Sequence, residues 1–425
     1  MEKNSGSLFD MLLRGQRIFR NREYLRPSYT PEELPHRREQ IHNLARIWAA
    51  PLRGETPSNV FIYGKPGTGK TATVKHVMKE LEKVGGRAPK KIEVIYLNCE
   101  EIRTKYRILA TLANVLLERR SEEGRGNGKG LPEQVPMTGW PTDQVYRYFF
   151  EAVDAVEQVL IIVLDEIDRL VMRSGDEVLY TLTRMNSDLT NSKVSIVGIS
   201  NNLNFMDYLD PRVRSSLSEE ELVFPPYNAL QLGDILRKRA EMSFEEGVLD
   251  PGVIPLCAAH AAREHGDARR ALDLLRTAGE LAEIEGAEKV TTTHVSRAFE
   301  KIERDKMLEV IHTLPTQSKL VLYSIVLLNE HRVPRIVTGD VYNVYCALCR
   351  RNGQDILTKR RVSDLISELD MLGIVNARIT NKGRYGRTKE IELNVQPIQV
   401  KAAILDDMEI GDPDPASIPR QLKLV

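Results

Sequence analysis

Apolar and polar positions follow one rhythm in the first half of the chain and another beyond it. Up to residue 225, short β-branched runs recur: Asn59-Val-Phe-Ile-Tyr63, Ile92–Leu97, Val159–Leu164, Val194–Ile199 and Glu221–Phe224. Each is too short for a helix, and stretches of helical spacing such as Thr71–Val84 separate them, with another, Pro35–Ala50, ahead of the first. Strands alternating with helices predict a parallel sheet covered on both faces, an α/β arrangement. From Pro226 the strands stop. Residues 228–307 keep a helical period punctuated by Gly247, Gly266 and Gly286, which predicts a separate helical domain.

A third pattern begins near Ile311. Helical spacing covers Gln317–Asn329, Thr338–Asn352 and Thr358–Leu372, and two strands follow, Ile374–Thr380 and Thr388–Val395. Three helices and a β-hairpin make a winged helix, a variant of the helix-turn-helix. The expected organisation is therefore a basic arm over 1–34, an α/β domain over 35–225, a helical domain over 226–308, a winged helix over 309–397 and an acidic tail over 398–425. The arm is expected to be loosely structured and the proline-containing tail poorly ordered. Arg119–Trp140, rich in Gly, Pro and charge, is expected to be a flexible loop.

Composition narrows this picture little. Of the 425 residues, 42% are hydrophobic and 28% charged, the balance of a globular chain of two or three domains. Neither a membrane span nor a secretory signal is expected. Four cysteines are too few for a disulfide framework, so a reducing, cytoplasmic setting is expected. The formal net charge of zero says less than its distribution does. Between Thr358 and Glu390 stand Lys359, Arg360, Arg361, Arg378, Lys382, Arg384, Arg387 and Lys389, against Asp364, Glu368, Asp370 and Glu390.

The chemistry concentrates at strand ends. Gly64-Lys65-Pro66-Gly67-Thr68-Gly69-Lys70-Thr71 lies between a predicted strand and a predicted helix, the full context of a phosphate-binding loop. Glycines let backbone amides turn toward phosphates at the positive end of the helix. Lys70 would reach the β- and γ-phosphates, and the Thr71 hydroxyl would ligate Mg²⁺ together with Asp165. The apolar run Ile161–Leu164 ends in Asp165-Glu166-Ile-Asp168. Glu166 there would orient or deprotonate an attacking water, and Asp168 would either cap the next helix or share in catalysis. The following strand runs into Ser200-Asn201-Asn202, where Asn201 would sit beside the γ-phosphate. Gly266-Asp267-Ala268-Arg269 opens a helix of the second domain, from which Arg269 would reach back toward the phosphates. Cys346 and Cys349, without a second pair, read as packed thiols rather than zinc ligands.

In order and spacing these motifs resemble the Walker A, Walker B, sensor 1 and sensor 2 series of AAA+ ATPases. With Leu34-Pro35-His36-Arg37, Leu209-Asp-Pro-Arg212-Val-Arg214 and the winged helix added, the chain is similar to archaeal replication initiators. That family is related to the eukaryotic origin recognition complex and helicase-loading factor. The resemblance implies an AAA+ P-loop NTPase sheet, a helical lid and a C-terminal winged-helix domain. It also implies ATP-dependent recognition of double-stranded origin DNA and recruitment of the replicative helicase, with paralogous initiator subunits as further partners. Pro35, His36 and Arg37 would lie near the adenine, with Ala72 and Tyr227 among the nucleotide contacts. A helical element within Glu100–Leu117 would touch DNA. Arg212 or Arg214 would serve as the finger offered to a neighbour's nucleotide. Ser215-Ser216 departs from the serine-arginine pair of clamp loaders, which implies slow hydrolysis acting as a switch.

For DNA, Lys359, Arg360 and Arg361 open the predicted recognition helix. Lys382, Arg384, Tyr385, Gly386 and Arg387 form a slim basic turn suited to a minor groove. The competing readings are a clamp-loader-type subunit, against which the winged helix counts, and an AAA+ signalling ATPase whose winged helix binds protein.

Overall fold

The computed structural model describes residues 18–102, 104–122, 131–381, 387–408 and 410. Its elements in order are α1 (Arg38–Trp48), β1 (Val60–Tyr63), α2 (Lys70–Gly85), β2 (Lys91–Asn98), α3 (Lys105–Glu122), α4 (Thr142–Asp154), β3 (Gln158–Asp165), α5 (Ile167–Ser174), α6 (Glu177–Arg184), β4 (Lys193–Ser200), α7 (Pro211–Leu217) and β5 (Glu220–Val223). The helical region holds α8 (Ala229–Ser243), α9 (Val253–Arg263), α10 (Ala268–Ile284) and α11 (Thr292–Thr313). The last part holds α12 (Thr316–Glu330), β6 (Ile336–Val337), α13 (Thr338–Arg351), α14 (Lys359–Met371), β7 (Val375–Asn381), β8 (Arg387–Leu393) and α15 (Pro397–Asp407). The chain divides between Val295 and Ser296, within α11, into two compact units.

In the first unit β1–β5 form one sheet in the order β2-β3-β4-β1-β5. Every pairing is parallel. The inner strand β3 is buried on both faces, so its side chains alternate between two cores. Leu160, Ile162 and Leu164 join Leu109 of α3, Phe149 of α4, Leu170 of α5 and Leu182 of α6. Ile161 and Val163 join Leu44 of α1 with Val74 and Val77 of α2. Each fully buried Leu or Ile contributes on the order of 1.5–3 kcal/mol through apolar area removed from water. A continuous apolar run is what such a strand requires. It places Asp165 at the carboxyl end of the sheet, beside the β1–α2 turn.

Residues 18–34 are not loose. Ile18 and Leu25 are fully buried, and Arg22–Leu25 forms a single 3-10 turn. Phe19 stacks on Phe244 at the end of α8, with ring centroids 4.6 Å apart, and Arg20 N–H donates to the Ser243 carbonyl at 2.8 Å. The segment is thus strapped onto the helical region. Gly279 of α10 makes room for it: a Cβ there would lie 2.4 Å from Phe19 Cζ. The loop expected from Arg119 begins later, because α3 runs on to Glu122 with Leu112, Leu116 and Leu117 buried. On its far side Asn114 brackets the Val135 backbone, donating to its carbonyl at 2.8 Å and accepting from its N–H at 2.7 Å. Residues 123–130 of that stretch lie outside the described residues.

In the second unit α12, α13 and α14 pack over a three-stranded sheet ordered β6-β8-β7, whose pairings are antiparallel. The short β6 is an addition to the expected hairpin. Of the stretch after Gln396, expected to be poorly ordered, Pro397–Asp407 forms α15 with Pro397 in its first turn, where proline's fixed φ suits a helix start, and 409 and 411–425 lie outside the described residues. Val400 and Ile404 are fully buried against the same core as α12.

Candidate functional site

The turn after β1 and the start of α2 form one wall of a cleft of about 630 Å³. Gly67-Thr68-Gly69-Lys70-Thr71-Ala72, Pro35, Tyr227, Asp165, Glu166, Asn201 and Arg269 all line it. The α/β sheet and the helical region therefore converge on one place. Gly64, Lys65 and Pro66 are not among the cleft's lining residues. Gly67 and Gly69 sit at φ +68° and +87°, the left-handed region that a side chain resists. A Cβ at Gly67 would fall 1.6 Å from Asp267 Oδ1, and one at Gly69 would fall 2.8 Å from the Tyr227 hydroxyl.

Lys70 is 4% exposed, and its ammonium donates to the Gly64 and Lys65 carbonyls at 2.7 and 2.8 Å. Burial pulls its pKa down to about 8, opposed by the nearby charge of Asp165. Thr68 Oγ1 braces the turn by donating to the Lys65 carbonyl at 2.8 Å. Thr71 Oγ1 donates to Asp165 Oδ2 at 2.7 Å. Glu166 has φ +54°, a strained conformation for a residue with a side chain, costing of order 1–3 kcal/mol. Its carboxyl is raised above the ordinary glutamate value by burial first, then by Glu100 and Asp165. That direction suits a group that exchanges a proton with water.

Two other side chains of the site, Tyr96 and Lys75, had no local signal. Tyr96 of β2 donates its phenol proton to Asp165 Oδ2 at 2.6 Å, and its own pKa is driven upward by burial and by that carboxylate. Lys75 stands 4.7 Å from the centre of the Tyr96 ring and also lines the cleft. Asp168 is buried and accepts from Ser200 Oγ at 3.0 Å and from Asn201 N–H at 3.4 Å. From the first turn of α5 it ties that helix to the end of β4 rather than capping α5. Only the recurrence of polar groups at the carboxyl ends of adjacent strands hinted at these links.

On the helical side, Asp267 caps α10 by accepting from Arg269 N–H at 2.8 Å, and the Ala268 N–H reaches the Gly67 carbonyl at 3.2 Å. Of the Pro35-His36-Arg37 trio, only Pro35 lines the cleft. His36 pairs with Asp234 of α8 at 2.8 Å. Arg37 turns under the phosphate loop, donating to the Thr68 carbonyl at 2.8 Å. Arg212 stands apart from the cleft, held by both oxygens of Asp210 at 3.1 and 3.2 Å and lying 5.2 Å from the Tyr180 ring centre. Arg214 pairs with Asp207 at 3.5 Å.

In the second unit Thr358 caps α14 by accepting from Arg361 N–H at 3.3 Å. Lys359, Arg360 and Arg361 are exposed on its first turn, and Arg361 pairs with Glu368 at 3.2 Å. Lys389 is turned inward, donating to the Ser363 carbonyl at 2.9 Å and to Ser367 Oγ. Lys382, Arg384, Tyr385 and Gly386 lie outside the described residues, and so does the Arg387 side chain, although its backbone pairs with Asn381 in the hairpin. Among the described residues no helix is long and apolar enough to cross a membrane.

Family models match three consecutive stretches: the AAA ATPase domain over 33–197, the Cdc6 AAA+ ATPase-type lid domain over 233–300 and the CDC6 C-terminal winged helix domain over 309–403. An ORC1-type DNA replication protein of Thermococcus onnurineus is 58% identical over 419 residues, 99% of this chain and 98% of that protein. One from Pyrococcus abyssi is 59% identical over 403 residues, 95% of this chain and 94% of that protein. The solved structure of the Aeropyrum pernix ORC1 protein in complex with DNA is 46% identical, with a TM-score of 0.72, covering 92% of this chain and 98% of that one. A parallel-sheet AAA+ ATPase domain, a lid and a winged helix in one chain, matched end to end by these relatives, place it in the family of archaeal ORC1-type DNA replication proteins.

Proposed function

We propose that this replication protein is a nucleotide-controlled initiator, which engages double-stranded origin DNA and helps to recruit the replicative helicase. The observation that carries the reading is the meeting of lid and phosphate loop in one cleft, joined in the same chain to a winged helix with a basic first turn on α14. A switch needs a ligand that touches two movable parts, and Gly67 against Asp267 and Ala268 is such a junction.

The donor set of the cleft fits Mg²⁺. Thr71 and Asp165 offer a hydroxyl and a carboxylate 2.7 Å apart, hard oxygens of the kind magnesium takes, with water and phosphate oxygens as its remaining partners. When bound, the ion would neutralise charge on the phosphates. Lys70 and the amides of residues 67–71 would hold the β- and γ-phosphates. Glu166 and Asn201 would orient a water toward the γ-phosphate, and Arg269 would report its presence to the lid. Pro35 and Tyr227 would flank the base. Arg212 would be offered to a neighbouring subunit only after leaving Asp210, which agrees with slow hydrolysis serving as a switch.

On the duplex, Lys359, Arg360 and Arg361 would meet the major groove, and Lys382, Arg384, Tyr385, Gly386 and Arg387 the minor groove. Fluorescence anisotropy with an origin-type duplex at graded salt tests this. Binding should fall steeply with salt, and Arg384→Ala or Arg387→Ala should each flatten the slope by about one, the share of a single neutralised phosphate. Unchanged binding in both variants would rule out the wing.

A further inference from the structure

Arg37 is a cation held where cations are costly. It is 2% exposed, and three of its nitrogens donate to backbone carbonyls. Nε donates to Thr68 O at 2.8 Å, Nη2 to Pro225 O at 2.6 Å and Nη1 to His36 O at 3.1 Å. The guanidinium lies 3.8 Å from the centre of the Tyr227 ring. Burial pulls its pKa below the ordinary arginine value, with Tyr227 opposing the shift. Among the described residues its partners are those carbonyls and the Tyr227 ring, not a carboxylate, and a charge buried in this way is costly.

The groups it joins belong to different parts. Thr68 is in the phosphate loop. Pro225 and Tyr227 form the link between β5 and the lid helix α8. Tyr227 is wedged in turn against the start of α10: its N–H reaches the Gly266 carbonyl at 3.3 Å, and a Cβ on Gly266 would lie 2.3 Å from the Tyr227 carbonyl. Next to Gly266, Asp267 closes onto Gly67. Contacts therefore run in a ring, from Thr68 through Arg37, Tyr227, Gly266 and Asp267 back to Gly67.

We propose that Arg37 is a positioning residue that couples the phosphate loop to the lid, so that movement of the loop on phosphate binding is carried through Pro225 and Tyr227 into α8. A planar fork suits this task, because two of its nitrogens fix two carbonyls at a constant separation. A lysine keeps the charge but holds one carbonyl at a time. The inference rests on the nucleotide reading given above, and its test separates the two.

Full-length wild type, Arg37→Lys, Arg37→Met and Lys70→Ala would be titrated with a fluorescent ADP analogue. Hydrogen exchange of residues 228–243 would then be followed with and without ADP. Wild type should bind and gain protection in α8, and Lys70→Ala should do neither. Arg37→Lys should bind within roughly threefold of wild type yet gain less than about half of the protection, the charge being kept and the bridge broken. Arg37→Met should fall about tenfold in affinity as well. Should Arg37→Met fail to fold, Arg37→Lys decides. Wild-type protection of α8 in Arg37→Lys overturns the coupling role. Absence of ADP binding by wild type overturns the nucleotide reading itself.

Discussion

The phenol of Tyr96 and the carboxylate of Asp165 share a 2.6 Å hydrogen bond, made to the same oxygen that accepts from Thr71 at 2.7 Å. Two donors on one oxygen fix the carboxylate's rotamer and leave the other oxygen to the Glu166 N–H, at 2.9 Å. Tyr96→Phe should cost about 1 kcal/mol of stability, the net worth of one such bond. It should raise several-fold the Mg²⁺ concentration needed for half-maximal ATP binding and leave Mg²⁺-free ADP binding close to wild type. Equilibrium titrations at graded Mg²⁺ check this, and an unchanged Mg²⁺ requirement would remove Tyr96 from the site.

Gly67 is constrained twice, by its φ of +68° and by Asp267. Gly67→Ala should abolish nucleotide binding and destabilise the fold by about 1–3 kcal/mol, measured by chemical denaturation. Adding Asp267→Ala should recover part of the stability, because the steric conflict is removed while the backbone strain stays. A double variant no more stable than the single one would show that the lid can simply move aside.

Charge on the winged helix divides by geometry. Lys359 on the first turn of α14 is exposed, whereas Lys389 is spent on the Ser363 carbonyl and Ser367. Lys359→Ala should lower the salt slope of DNA binding by about one. Lys389→Met should weaken binding several-fold without changing that slope, because it frees the angle between β8 and α14 and leaves the phosphate-facing charge intact. Anisotropy at several salt concentrations distinguishes the two.

Thiol chemistry offers a check on the lid core. Burial pushes the Cys257 thiol up to about 12. Its thiolate is therefore absent from the native protein at neutral pH and forms only as pH climbs toward that value. Alkylation of native protein at pH 7–8 should spare Cys257, and labelling should appear on denaturation. Fast native labelling, read by mass spectrometry, would mean that α9 opens readily.

Much of the fold and site was legible because its signals are local. The phosphate loop is eight consecutive residues whose glycines and lysine each answer a backbone requirement, and β3 carries its carboxylates at its own end. What escaped is non-local. Nothing in Leu34-Pro35-His36-Arg37 says that the arginine turns under Thr68 and not toward the base, since two of its acceptors are carbonyls 31 and 188 positions away. Lys389 read as one more basic residue of a cluster, because only the packing of β8 on α14 reveals its acceptors. At the C-terminal end, Val400, Ala403 and Ile404 have helical spacing, but the acids and prolines around them outweighed it. In α15 those three side chains, all buried, outweigh the composition.

The strap formed by Ile18, Phe19 and Arg22 has a consequence for how the protein is made. Arg22 bonds to Glu283, 261 positions along the chain, and Phe19 fills the space that Gly279 leaves. Residues 18–22 leave the ribosome early and thus wait for nearly the last part of their own unit before they find a partner. Until then the Phe19 side chain stays uncovered in the nascent chain. A lid produced without residues 18–25 would carry an open apolar seam along α8 and α10, and would associate through it.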